Sequence, residues 1–182
     1  MARASHALAT AGAVWLVDPV DWPEAIDRAL TLGRPAAVLQ LLDRHNRDCA
    51  AVAARLGVPH LVAPAELPGS PFEVVEVVRR RFWQEVALWW PAERTLVVAE
   101  AVGTLPFSTV AGDPVGVHGL LKPFPPKALR GLEPEHLLVG HGEGLHGPDT
   151  PRSLATALGR SRLRVVPWLF RLPFALRSGR TG

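Results

Sequence analysis

Seven polar or reactive residues stand in a row at Asp43-Arg44-His45-Asn46-Arg47-Asp48-Cys49. Carboxylate, imidazole and thiol groups ligate transition metals and move protons, whereas guanidinium groups stay protonated and only donate. The row is bounded by an apolar run, Ala36-Ala37-Val38-Leu39-Gln40-Leu41-Leu42, and by Ala50-Ala51-Val52-Ala53-Ala54-Arg55-Leu56, which Gly57 and Pro59 stop. The first has the length of a buried strand and the second that of a short helix. A polar turn between strand and helix is held by rigid elements on both sides, and helix-start N–H groups face it. Chemistry is one reading of the turn. The plainer one is a helix cap, with Asn46 as N-cap and Asp48 in the first turn, where the helix dipole favours a carboxylate.

The elements that must hold this turn follow from periodicity and turn chemistry. Ser5–Thr10 and Ala13–Val17 read as a hairpin about Ala11-Gly12. Asp21-Trp22-Pro23-Glu24 opens a helix whose apolar stripe is Ala25, Ile26, Ala29 and Leu30. After the polar turn and its helix, Pro59–Ala63 is a short strand, Pro64–Pro71 a loop, and Phe72–Val78 a strand that the run Arg79-Arg80-Arg81 interrupts. Glu85–Trp90 and Arg94–Glu100 flank Pro91-Ala92-Glu93 as a second hairpin. Pro126–Leu132 is a short helix, His136–Val139 a strand, and Thr150-Pro151 opens a helix to about Leu158. No repeat period is visible. Hairpins alternating with strand–helix units imply two sheets with helices outside them, an α+β domain over 1–158.

Composition agrees with a globular chain. At 182 residues it can build one full core, with 48% hydrophobic and 20% charged residues. A single cysteine excludes an internal disulfide framework and fits a reducing, cytoplasmic setting. No apolar run approaches the ~20 residues of a membrane span, and the opening segment leads into a folded strand and not a signal-peptide cleavage site. The net charge of +3 is unevenly spread: from residue 150 onward there are seven arginines and no acid. The basic character therefore belongs to the C-terminal tail.

In the order of its elements the chain resembles the metallo-β-lactamase superfamily over roughly 5–158. Leu16-Val17-Asp18-Pro19 is similar to the family's opening hairpin and Asp-Pro turn, and Pro35–Pro59 to its metal-binding turn between strand and helix. Leu88–Glu100 resembles the late hairpin, and Leu137-Leu138-Val139-Gly140-His141-Gly142 the final Gly-His-Gly strand end. The resemblance implies a four-layer αββα sandwich and descent from metal-dependent hydrolases of esters, thioesters or amides.

The same resemblance implies which ligands are missing. The family's His-x-His-x-Asp-His turn falls here on Arg44, Asn46, Asp48 and Cys49, with His45 out of phase. A mid-chain histidine would fall near Arg81, Glu100 stands where an aspartate is usual, and His141 is retained. Arginines at two ligand positions leave no two-metal site. Arg44, Asn46 and Arg81 would line a pocket for a small anion, and the leading expectation is a non-classical or inactive member that binds such a ligand, or a partner, without metal. The alternative is a one-zinc hydrolase with Asp48, Cys49, Glu100 and His141 as ligands. Each has a plainer role: Asp48 as cap, Cys49 as a buried thiol, Glu100 paired with arginine, His141 bonded at a strand end. Only 40 residues separate Glu100 from His141, too few for the inserted domain of the family's RNA-cutting members, so no nucleic acid is expected.

Other signals are weaker. Gly140-His141-Gly142-Glu143-Gly144 lacks the helix-opening spacing of a dinucleotide loop, Ser70, Ser108 and Ser153 lack nucleophile-elbow glycines, and His60, His118 and His146 are isolated. The tail 159–182 alternates arginines with apolar and aromatic residues, the composition of a membrane-surface or partner-binding segment, and a third functional reading has it dock the domain on an acidic surface, though Pro167 and Pro173 break a continuous amphipathic helix. Packing on the domain, or fraying, is the plainer expectation for it.

Overall fold

The computed structural model describes residues 3–45, 47–110 and 112–170. The opening hairpin, β1 (His6–Thr10) and β2 (Ala13–Val17), turns at Ala11-Gly12, and both turn residues have positive φ. Helix α1 (Pro23–Leu30) starts on its proline. Strand β3 (Arg34–Gln40) lies parallel to β2, helix α2 (Cys49–Leu56) follows the polar turn, and β4 (His60–Val62) lies parallel to β3. These strands form one sheet in the order β1-β2-β3-β4.

The second half builds the other sheet. It contains the antiparallel strands β5 (Glu73–Arg80), β6 (Trp83–Trp90) and β7 (Thr95–Val98). A two-stranded ribbon, β8 (Val102–Gly103) and β9 (Gly116–Val117), comes next. Strand β10 (His136–Val139) then runs parallel to β7 and carries the short β11 (Leu145–His146) on its outer edge. The sheet order is β11-β10-β7-β6-β5. The expected helix at 126–132 is a single turn, Lys127–Leu129; prolines at 125 and 126 and Gly131 leave no room for more.

Alternation along β2 and β3 sorts the layers. Val14, Leu16 and Val38 pack with Ile26 and Ala29 of α1 and Val52 and Ala53 of α2. Trp15, Val17, Ala37 and Leu39 face the other way, into a core shared with Leu88, Leu96 and Val98 of the second sheet. Leu129, and Leu154 and Leu158 of α3 (Thr150–Arg160), join this core. Every residue of β7 is buried, so the second sheet is covered on both faces. The result is an αββα sandwich.

Parallel pairing sets where chemistry can happen. The C-terminal ends of β2, β3, β7 and β10 arrive at one edge, at Asp18, Leu41–His45, Ala99–Glu100 and Gly140–His141. The sheets are stitched there by a Leu42↔Glu85 bridge, an Arg3↔His141 bridge, and bonds from Val86 N to Leu41 O (2.9 Å) and from Ala4 N to Gly140 O (3.0 Å).

The chain continues past residue 158 without leaving the domain. A 3₁₀ turn, Ser161–Arg164, extends α3, and helical residues follow to 170. Trp168 is buried; its indole donates to Phe107 O (2.7 Å) and its ring lies on Gly119, where a Cβ would fall 2.0 Å from ring carbon Cζ2. Residues 171–182, on which the membrane-contact expectation also falls, lie outside the described residues. No helix among the described residues is long and apolar enough to cross a membrane. Trp168→Ala is expected to lower folding stability by about 3 kcal/mol, from lost burial and the cavity left behind. Urea denaturation measures this, and an unchanged midpoint would contradict the packing role.

Candidate functional site

Residue by residue, the strand ends converge on one carboxylate. Glu100 follows β7, and its backbone N–H and that of Ala101 both donate to Oε1 of Glu85, at 2.8 Å each. Glu85 is 1% exposed, and its Oε2 accepts from the Trp83 indole at 2.8 Å. Burial pushes the Glu85 carboxyl up, and the three N–H donors pull it back in part. A buried carboxylate from the middle of β6 thus fixes the loop that presents Glu100.

Asp18 does the same for the first sheet. It is 2% exposed, sits at φ 46°, and accepts from Leu41 N on Oδ1 (3.2 Å). Its Oδ2 pairs with Nδ1 of His45 at 3.2 Å. The ring's other nitrogen, Nε2, lies 3.2 Å from Oε1 of Glu100. Burial opposes charge on this imidazole, but the bonds to Asp18 and Glu100 outweigh it and raise the pKa to about 9. Nε2 of His141 is 3.5 Å from the same Glu100 oxygen.

Glu100 Oε2 takes a different partner, a guanidinium. Arg44 donates to it at 3.1 Å and to Phe82 O at 3.0 Å, with its guanidinium 4.1 Å over the Trp83 ring. Burial works against the charged Glu100, yet the bonds from His141, His45 and Arg44 hold its carboxyl well below the usual carboxylate range. Arg47 stands back from this group. Its guanidinium donates to Ala4 O, Asp18 O and Gly140 O at 2.6, 2.7 and 2.9 Å, clamping three chain segments behind the site. Gly140 has to be glycine: a Cβ there would lie 2.3 Å from Ala99 O and 3.2 Å from the His45 ring.

The residues singled out from sequence separate into two groups. Arg44, Glu100 and His141 share this edge. Asp48 turns away to accept from Asp21 N (2.9 Å) and is the residue before the first turn of α2, without a side-chain capping bond. Cys49, the first residue of α2, is fully buried against the first sheet; burial, with the charges of Asp18 and Asp48 and against that of Arg47, pushes its thiol up to about 12. Arg81 lies exposed on the β5–β6 turn, 5.2 Å over the Phe82 ring. Asn46 lies outside the described residues. The group that could hold a metal ion, among the described residues, is His45, Glu100 and His141, whose ligand atoms lie within 4.8 Å of one another. His45 and Asp18 were not assigned ligand or positioning roles by the sequence pattern; the Asp-Pro turn after β2 was the available signal for Asp18.

Beside the cluster opens a pocket of about 200 Å³, with Glu100 and His141 on its rim and Leu105, Phe107 and His118 among its walls. His118 is buried edge-on to Trp83 and tilted against Phe107, with ring centroids at 4.7 and 4.8 Å. Its Nδ1 accepts from Leu120 N, so the neutral ring keeps a proton on Nε2. Burial is the main cause of a pKa near 4 instead of 6.5, with Arg44, Lys122 and His141 adding to it and Glu100 opposing. Between those values the unfolded chain takes up a proton that the folded one refuses. Stability is therefore complete above pH 6.5 and falls as pH drops towards 4. His118→Phe is expected to flatten this part of the profile in urea unfolding, and identical slopes in the two proteins would contradict it.

Comparison with known proteins bears on the fold. No family model matches the chain, and no curated protein matches it. Solved structures do. A metallo-β-lactamase from Pontibacter korlensis is 12% identical with a TM-score of 0.52, covering 85% of this chain and 86% of that one. The DIM-1 metallo-β-lactamase exposed to ceftazidime is 12% identical with a TM-score of 0.55, over 86% and 84%. The chemotaxis sensor ODP in a peroxy diiron state is 12% identical with a TM-score of 0.61, over 88% and 87%. The chain has the metallo-β-lactamase fold.

Proposed function

We propose that this protein is a one-metal variant of the metallo-β-lactamase fold, holding a single divalent ion on His45, Glu100 and His141 and hydrolysing a small ester, thioester or amide. The convergence of three ligand atoms within 4.8 Å, with one imidazole oriented from behind by a buried carboxylate, carries this reading. Two imidazole nitrogens and a carboxylate oxygen suit zinc or iron. The separations of 3.2 and 3.5 Å from Glu100 Oε1 to the two Nε2 atoms are close to the roughly 3.3 Å that ~2.0–2.1 Å bonds at tetrahedral angles require. Asp18 acts as the outer carboxylate that fixes ring orientation in metal-binding histidines. When bound, such an ion supplies a Lewis acid and a water of lowered pKa.

The chain's own groups supply the remainder. Arg44 neutralises the second oxygen of Glu100 and stands where a further metal would otherwise be needed to balance charge. The walls of the adjoining pocket are largely apolar, which suits an acyl group and keeps bulk water out. His118 offers an uncharged N–H on that wall as a hydrogen-bond donor to substrate.

The Arg44–Glu100 ion pair and the raised His45 pKa favour a second reading, because together they saturate Glu100 without any metal. On that reading the pocket binds a small anion and performs no hydrolysis. Zinc titration of metal-free protein by calorimetry separates the two. The one-metal reading expects one zinc per chain, a loss of at least tenfold in affinity in His141→Ala, and a 10–100-fold loss in Asp18→Asn. It also expects zinc-dependent cleavage of a chromogenic thioester. Absence of zinc binding, or binding indifferent to both substitutions, would sink it in favour of the second.

A further inference from the structure

A second pocket lies between α3 and the segment Asp113–Val117, and nothing in the metal reading uses it. Arg152, Thr156 and Arg160 recur every fourth residue along α3, and the following 3₁₀ turn puts Arg164 next in the row. Residues four apart on a helix share a face, so three arginines line one stripe. The neighbouring row, Ser153, Ala157 and Ser161, is small. It leaves a hollow of about 150 Å³ between the helix and the segment Asp113–Val117.

Lys122 closes the hollow from below and is 1% exposed. Its ammonium donates to Ser108 O (2.6 Å) and Val117 O (2.8 Å). An ammonium has three N–H groups; the third has no acceptor among the described residues. Asp113 is the one acid among the described residues that line the hollow, and Arg164 already holds it at 2.6 Å. Arg152 and Arg160 make no ion pair among the described residues. Four cations therefore face one carboxylate, with hydroxyls of Ser153 and Thr156 between them.

We propose that this hollow is a binding site for a phosphomonoester, with Arg152, Arg160 and Lys122 as its anion-binding groups. Several convergent donors suit a tetrahedral dianion with three acceptor oxygens better than a carboxylate with two. The volume lies below the 300–1,000 Å³ of sites for drug-sized ligands, so the ester carries a small organic group. Burial, with Arg164 adding to it and Asp113 opposing, lowers the Lys122 pKa to about 8, so the ammonium has less compensating negative charge than its burial demands. A bound dianion supplies it. The hollow shares the Ser108 segment with the pocket beside Glu100, since that residue's carbonyl holds Lys122 and the residue also lines the other pocket.

Calorimetric titration with glycerol 3-phosphate at fixed ionic strength tests the site. The full chain is expected to bind one equivalent, Arg160→Gln and Arg152→Gln to lose at least tenfold in affinity, and Glu100→Gln to bind as the parent does. Both arginines are exposed, so these variants fold, and Lys122→Met adds a third probe whose folding is checked by its circular dichroism. Co-sedimentation with phosphatidic-acid vesicles distinguishes a lipid headgroup from a soluble ester. Vesicle binding abolished by Arg160→Gln supports the same site with the phosphate borne by lipid. Overturning results are no saturable binding to either probe, equal binding by Arg160→Gln, or binding that disappears in Glu100→Gln and survives in Arg160→Gln.

Discussion

The arrangement rests on two buried carboxylates, one in each sheet. Asp18 follows β2 and holds both the backbone of the neighbouring strand end and the His45 ring. Glu85 lies within β6 and holds two successive backbone N–H groups where β7 gives way to Glu100. Hydrogen bonds to charged acceptors contribute roughly 1.5–3 kcal/mol each, and a buried carboxylate stripped of them would cost several. Neither acid can therefore leave its donors. Because the donors belong to the loops that carry His45 and Glu100, the same bonds that satisfy the core set the separation of the functional groups.

That constraint keeps the groups at this edge together although they come from distant segments. Arg44 brings a fixed positive charge to the edge. Glu100 answers it with one oxygen and turns the other towards His45 and His141. Arg47 spends its guanidinium on three backbone carbonyls instead of on the carboxylates in front of it. It works as a clamp between the N-terminal segment and the ends of β2 and β10.

Much of the architecture was legible in the sequence. Ala11-Gly12 marks a hairpin, Pro23 a helix start, and Gly57 a helix end in the left-handed conformation, and each stands where these residue types require. The site was legible only in part. Glu100 and His141 each lie two residues past the end of a strand, β7 and β10, whose positions periodicity fixes. Which of His45 and Asp48 turns inward depends on the path of an aperiodic turn, with Arg47 at φ 33°, and no spacing rule reports that path. Arg81 was indistinguishable from its neighbours in a run of three until the β5–β6 turn carried it outward. Glu85 stands at the head of the unbroken apolar run Val86–Trp90, which carries no period that could orient it; the donors from Trp83, Glu100 and Ala101 satisfy its buried carboxyl.

The central claim is the identity of the three ligands, and X-ray absorption at the zinc edge of the loaded protein addresses it directly. The account predicts a first shell of nitrogen and oxygen at about 2.0–2.1 Å with the outer scattering of two imidazoles. A sulfur scatterer at about 2.3 Å would bring Cys49 into the site, and a shell with one imidazole or none would remove His45 or His141 from it. Either result would contradict the account.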